Sequence, residues 1–295
     1  MSNGSGQVPV IAIARDSWIF FLQNWRMFLP AAGVTSVIAA LGPMFVMLSS
    51  GPATVAAEGQ MSIGPADFIA AIPGTIAGLL FAAVVLRKVV RDEFIGPTGL
   101  AFGADELRLL GIMAGLACIV IPFGTLAVVV VQVAVFARLA ANPEALDALM
   151  KNPEAFGEAM ETTLGPAGML AFTLFLCVML GAFLYGLTRL AMINAATIGE
   201  RRMVMFQTWS WSRGNILRIF AALMLTGIPA YLVSSLFLEI ALAVLRAVVT
   251  PGNALIAGFA YSVAVTFVGA IASIPSTALG AILYKGLRPA DFVAK

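Results

Sequence analysis

Long apolar runs alternate with short polar segments along most of this chain. Six of the runs exceed eighteen residues, the length at which an apolar segment predicts a membrane-spanning helix. The predicted spans cover about residues 27–49, 66–90, 108–140, 166–194, 216–249 and 254–284. We therefore predict an all-α polytopic membrane protein whose six transmembrane helices form three helical hairpins.

The segments outside these spans predict further elements. Over residues 9–25 the apolar positions recur at helical spacing, which favours an amphipathic helix lying in the membrane interface. The alternative is that these residues form the first turns of a tilted first span. A second amphipathic piece is predicted for residues 200–213. Residues 1–8 are polar and rich in Gly and Ser, which predicts a disordered tail.

Residues 141–165 form the most polar stretch and are predicted to cap the outer side. N-P-E-A-L begins at Asn142 and N-P-E-A-F begins at Asn152, so the stretch contains a short tandem repeat. Asn is a favourable N-cap and Pro suits the first helical position, which predicts two short helices. Their acidic side chains either attract a cation or a partner, or form a solvated face.

Composition supports lipid as the solvent. Of 295 residues, 61% are hydrophobic and 11% are charged, and the mean hydropathy is +0.99, whereas about 25% of a soluble chain is charged. The net charge of +2 is too small to indicate nucleic acid. There is no histidine, and the two cysteines lie inside apolar runs. We therefore predict no metal, no cofactor and no enzymatic activity.

Charge distribution predicts the orientation. Fourteen of the 17 Lys and Arg residues fall on one side of the six spans, and the positive-inside rule places that side and both termini on the cytoplasmic side of the membrane. All four tryptophans are predicted to lie at that boundary, where Arg189 can also reach the interface. The predicted interfacial anchors are Trp18, Trp25, Arg26, Trp209, Trp211, Arg213 and Arg218.

Polar groups and prolines within the spans are candidates for a cavity or kink, namely Pro73, Pro122, Gln132, Pro229, Ser273 and Pro275. Proline frees a backbone carbonyl and kinks a helix, so these residues could open a cavity for a lipid or solute. Prolines are also common in ordinary spans, and interhelical hydrogen bonds explain uncharged polar groups without a function.

The stretch from Arg189 to Phe220 contains R-L-A-M, E-R-R and then W-S-W-S-R-G-N-I-L-R-I-F, and Y-K-G-L-R-P closes the last span. In these motifs the chain resembles a group of uncharacterised bacterial six-span inner-membrane proteins. It is more remotely similar to the membrane domain that precedes some glycerophosphodiester phosphodiesterases. The resemblance implies the fold of such a membrane domain. It does not imply phosphodiesterase activity, because we expect no catalytic phosphodiesterase domain in this chain.

The function expected from these patterns is non-enzymatic binding or organisation of membrane lipid or of a membrane partner, including a second copy of the chain. The alternative is a transporter or channel for a small or amphiphilic solute. No nucleic-acid partner is expected.

Overall fold

The computed structural model describes residues 7–50, 65–140, 156–250 and 252–289. These residues form helices and connecting turns, with no strand among them. The helices are α1 (Val10–Ser50), α2 (Pro65–Arg91), α3 (Ala104–Ala140), α4 (Phe156–Leu190), α5 (Ile193–Gly199), α6 (Gln207–Trp211), α7 (Ile216–Val248) and α8 (Ala254–Leu287).

Six of these helices, α1 to α4, α7 and α8, are long and apolar enough to cross a membrane. Their large apolar side chains are often exposed: Leu217 by 81%, Tyr231 by 71% and Val178 by 69%. Such exposure is unfavourable in water and costs nothing in hydrocarbon. The prediction of an all-helical, multi-pass membrane protein is confirmed at this level.

The helix boundaries agree closely with the predicted spans except at α1 and α4. Helices α7 and α8 begin at the predicted residues, Ile216 and Ala254. Helix α4 begins ten residues before the predicted span and passes through Gly165, whose φ of 61° interrupts the helical geometry. The last ten residues of the predicted cap at 141–165 therefore belong to α4, and residues 141–155 lie outside the described part of the chain.

The two predicted interfacial helices are not formed as separate elements of the expected length. Helix α1 begins at Val10 and continues without a break through residue 25 into the first span. In the second segment only α6 is helical, because Arg201 adopts a left-handed φ of 52° and the Val204 N–H donates to the Thr197 hydroxyl at 3.2 Å. A side chain that takes up a backbone N–H competes with helix formation.

The chain divides into two compact units. Unit 1 contains residues 1–112 and 188–295, and unit 2 contains residues 113–187. In unit 1, α1 packs against α2 and α8 through a cluster that includes Phe28, Phe81 and Ile274, none more than 3% exposed. Unit 2 contains the later part of α3 and most of α4, where Leu170 and Val178 are exposed.

Helices α1 and α2 approach each other closely at Gly42. A Cβ atom on Gly42 would lie 1.9 Å from the Ala70 carbonyl oxygen. Only a residue without a side chain permits this distance, as is common where membrane helices pack closely.

The predicted tail over residues 1–8 is wrong at its last residue. Val8 is 5% exposed and packs into the second cluster of unit 1, together with Trp211 and Leu283. Its N–H donates to the Asn215 Oδ1 atom at 3.0 Å. The hydrogen bond and the apolar contacts fix this residue against the start of α7.

Candidate functional site

The segment that joins α6 to α7 contains most of the predicted anchors and is built from consecutive turns. The Ser212 N–H donates to the Thr208 carbonyl at 3.1 Å, and the Asn215 N–H donates to the Ser212 carbonyl at 3.1 Å. Gly214 lies between them with φ of 79°, a conformation that favours glycine. These turns redirect the chain into α7.

Arg189, from the end of α4, holds this segment in place. Its Nη1 atom donates to the Trp209 carbonyl at 2.8 Å and to the Ser212 hydroxyl at 3.3 Å. Its guanidinium carbon also lies 5.3 Å from the centre of the Trp209 ring. Arg189 is only 8% exposed, so the prediction that it reaches out to the interface is wrong. It is a structural contact whose partners lie twenty or more residues away.

Trp211 is also buried, at 8% exposed, and packs against protein; its role as an interfacial anchor stays a prediction. Its ring lies 6.2 Å from that of Tyr284 in α8. The Tyr284 hydroxyl donates to Glu200 Oε1 at 2.6 Å, and Arg288 Nε lies 2.6 Å from the same oxygen. Alternation of Trp, Ser, Trp and Ser in the sequence does not reveal which tryptophan faces the protein.

Three predicted anchors of this segment remain accessible. Trp209 is 39% exposed, Arg213 is exposed and Arg218 is partly exposed. We call Trp209, Arg213 and Arg218 the interfacial surface. A cavity of about 600 Å³ adjoins it and is lined by Gln7 and by residues 213–218.

The remaining predicted anchors lie on α1, at another level of the bundle. Arg26 stacks over Trp25 at 5.6 Å, and Trp18 meets Phe21 edge-on at 5.7 Å. Helices α1 and α7 run in the same direction, because Val8 contacts Asn215 and the Ser17 hydroxyl lies 3.4 Å from that of Thr226.

Thr226 is in the eleventh helical position of α7, so Trp18, next to Ser17, lies about 16 Å beyond the start of α7 along this helix pair. Trp209 precedes the start of α7, and Trp25 lies further along α1. The four tryptophans therefore do not share one level along this pair, contrary to the prediction.

The basic residues at the end of α2 are paired with acids that follow them in the chain. Arg87 and Glu106 form an ion pair in which both side chains are 3% exposed, and Arg87 Nη2 donates to the Gly99 carbonyl at 3.1 Å. Arg91 pairs with Asp105, which also accepts from Arg108 at 2.9 Å. These ion pairs connect the end of α2 to the start of α3, so Arg87 and Arg91 are not free cations.

One further pair at the end of α2 is exposed. The Lys88 ammonium donates to the Asp92 carboxylate and lowers the pKa of Asp92, which lies just outside the span. Solvent screens this pair, so it contributes little to folding.

The predicted cavity residues do not converge on one site. A cavity of about 280 Å³ lies between α1, α2 and α8, lined in part by Ser273. Pro73 precedes Gly74, which lines this cavity, and is partly buried. Pro275 is buried, and Pro122 and Pro229 are exposed. Each proline lies within a continuous helix. The side chain of Gln132 lies outside the described part of the chain.

This cavity has a mixed lining of small residues and hydroxyl groups. Thr35 and Ser273 donate to carbonyls of their own helices, and Thr266 also donates to the Ser36 carbonyl at 3.3 Å. A neighbouring cavity of about 250 Å³ shares Ser273 and Ala82 and extends toward Asn194. We call the first of these cavities the groove; its mixed lining suits a small amphiphilic molecule.

The described residues contain no group of three or more His, Cys, Asp or Glu side chains placed to hold a metal ion. Cys118 and Cys177 are free and exposed.

No protein-family model matches this chain, and no curated protein or solved structure matches it. The resemblance to bacterial six-span inner-membrane proteins stays a prediction. A proposal for the function of the chain therefore rests on the geometry of the site.

Proposed function

We propose that this chain is a non-enzymatic protein of a bacterial inner membrane that binds and organises membrane lipid through its interfacial surface. The observation that supports the proposal is the fixed presentation of Trp209, Arg213 and Arg218 directly before a long apolar helix. Tryptophan and arginine at such a position combine an amphipathic ring with a cationic group, the pairing that suits a lipid headgroup region.

Rigidity distinguishes this surface from an ordinary membrane-flanking loop. Arg189 binds the backbone of the segment on one side, and Trp211 packs against Tyr284 on the other. Because these contacts set the position of Trp209 before lipid arrives, little conformational entropy is lost when lipid binds.

In the proposed arrangement the six spans form three hairpins, with both termini and the interfacial surface on the cytoplasmic side. The support is the excess of Lys and Arg on that side in the sequence. The ion pairs of Arg87 and Arg91 do not weaken this argument, because the rule counts basic residues and is not a rule of net charge.

The test is the amount of lipid retained by the purified full-length protein, measured by mass spectrometry. Trp209→Ala is expected to reduce the retained lipid roughly fivefold, which corresponds to about 1 kcal/mol for one interfacial aromatic ring. Tyr231→Ala is the matched control, since Tyr231 is an exposed aromatic residue further along α7. Equal retention in wild type and Trp209→Ala would contradict the proposal.

Transport is the second candidate, and the groove between α1, α2 and α8 favours it. Gly78 lines this groove and has open space where a side chain would be. If solute passes here, Gly78→Leu abolishes flux in proteoliposomes, whereas Gly227→Leu, at an open position on α7, leaves it intact. Absence of wild-type flux across a broad panel of solutes would remove this candidate.

A further inference from the structure

We propose that Arg213 and Arg218 hold the phosphate group of an anionic phospholipid in the cavity at the start of α7. This inference rests on the proposed function and assigns a ligand to its interfacial surface. Three features of the segment support it: two arginines without a counter-ion that line one cavity, the start of a helix at the same cavity, and an exposed apolar side chain beside them.

The first feature is charge without a counter-ion. Three other arginines of unit 1 pair with carboxylates: Arg87 with Glu106, Arg91 with Asp105, and Arg288 with Glu200.

Within the described part of the chain, by contrast, Arg213 and Arg218 make no ion pair and no side-chain hydrogen bond. Both line the same cavity of about 600 Å³. Two guanidinium groups around one space suit a phosphate, which can accept paired hydrogen bonds from each.

The second feature is the backbone around this cavity. Asn215 occupies the N-cap position of α7, but its side chain does not cap the helix. Its Oδ1 atom instead accepts from the Val8 N–H at 3.0 Å. The first residues of α7 line the cavity, and the start of a helix favours an anion through its dipole. This contribution adds to that of the two arginines.

The third feature favours a lipid over a free phosphate ion. Leu217 lies between the two arginines in sequence, lines the same cavity and is 81% exposed. An acyl chain covers an apolar side chain at this position, and a phosphate ion does not. Trp209 supplies a second surface of the kind found at headgroup level.

The experiment uses the full-length protein in nanodiscs that contain phosphatidylglycerol and phosphatidylcholine, and measures the retained lipid by native mass spectrometry. The double variant R213Q/R218Q is expected to lose retention of phosphatidylglycerol about tenfold or more, as removal of charge-assisted hydrogen bonds implies. R246Q is the matched control, because Arg246 is an exposed arginine at the opposite end of the same helix.

Two further measurements distinguish a bound lipid from a soluble phosphate. Inorganic phosphate and glycerol phosphate are added as competitors, and neither is expected to displace the lipid at millimolar concentration. Displacement by either at that concentration would assign the site to a soluble phosphate and overturn the lipid inference. The variant L217N, which keeps both arginines and adds no charge, is expected to reduce lipid retention; wild-type retention in this variant would count against the inference.

The failures of this inference and of the proposed function differ. If wild type retains phosphatidylglycerol selectively and R213Q/R218Q retains as much as R246Q, the arginine site is refuted and the proposed function stands. If wild type retains no lipid beyond the composition of the nanodisc, both are refuted. Should R213Q/R218Q fold poorly, R213K/R218K keeps the charges without the paired donors, and full retention in it would refute recognition by paired hydrogen bonds.

Discussion

The close contact between α1 and α2 at Gly42 gives the sharpest prediction for the fold. In Gly42→Ala, the added Cβ would lie 1.9 Å from the Ala70 carbonyl oxygen and 2.9 Å from its carbon. Non-bonded carbon atoms essentially never come within 3.0 Å of such an oxygen, so the two backbones must separate by about 1 Å. The contact is with backbone atoms, and no side-chain rotation can relieve it.

The expected cost follows from two opposing terms. Forcing extra volume into a packed contact costs about 1–3 kcal/mol, while replacing glycine by alanine inside a helix gains about 1 kcal/mol. Because the clash involves backbone, we expect the packing cost to lie near about 3 kcal/mol. The net loss of stability is then about 1–2 kcal/mol. Gly33→Ala, on the same helix with open space around it, is expected to be neutral or stabilising.

The assay is unfolding of the purified protein in detergent, by titration with sodium dodecyl sulfate and detection by tryptophan fluorescence. Pro43 follows Gly42 and also restricts the residue before it. The comparison is therefore repeated in a Pro43→Ala background, which removes this restriction and keeps the clash. Equal stability of the Gly42→Ala and Gly33→Ala proteins in that background would refute the close approach of α1 and α2.

Two predictions concern the buried charges. Arg189→Gln removes the contacts that hold Trp209, so we expect faster fluorescence quenching of Trp209 by iodide and a loss of about 1–3 kcal/mol of stability; unchanged quenching in single-tryptophan proteins would contradict this role. Glu106→Gln leaves the Arg87 guanidinium buried without its counter-ion and is expected to cost about 3–5 kcal/mol in the same unfolding assay. Asp92→Asn, at an exposed ion pair, is the control and should leave stability unchanged.

Much of the architecture follows from local pattern. The apolar runs locate α7 and α8 to the residue at their starts, because a helix that crosses hydrocarbon must remain apolar for its full length. Length and hydropathy also separate membrane spans from soluble helices without reference to any contact. Local pattern also predicts the turn before α7, since Gly214 interrupts the helical pattern.

The candidate site shows where local pattern is insufficient. Trp209 and Trp211 have the same chemistry and nearly the same place in the chain, yet one is 39% exposed and the other is 8% exposed. The difference comes from Tyr284 and Arg189, which lie far away in sequence. The pairing of Arg87 with Glu106 across the turn between α2 and α3 could have been suggested by opposite charges at the two helix ends.

Sequence alone determined the solvent of this protein and the approximate limits of its spans, since both depend on the apolar character of consecutive residues. Tertiary structure alone decided which side of each helix meets lipid and which meets protein. In a membrane both surroundings are apolar, so hydrophobicity does not distinguish them. Close contacts such as Gly42 with Ala70, and hydrogen bonds such as Val8 with Asn215, make that distinction, and they join residues that no local pattern relates.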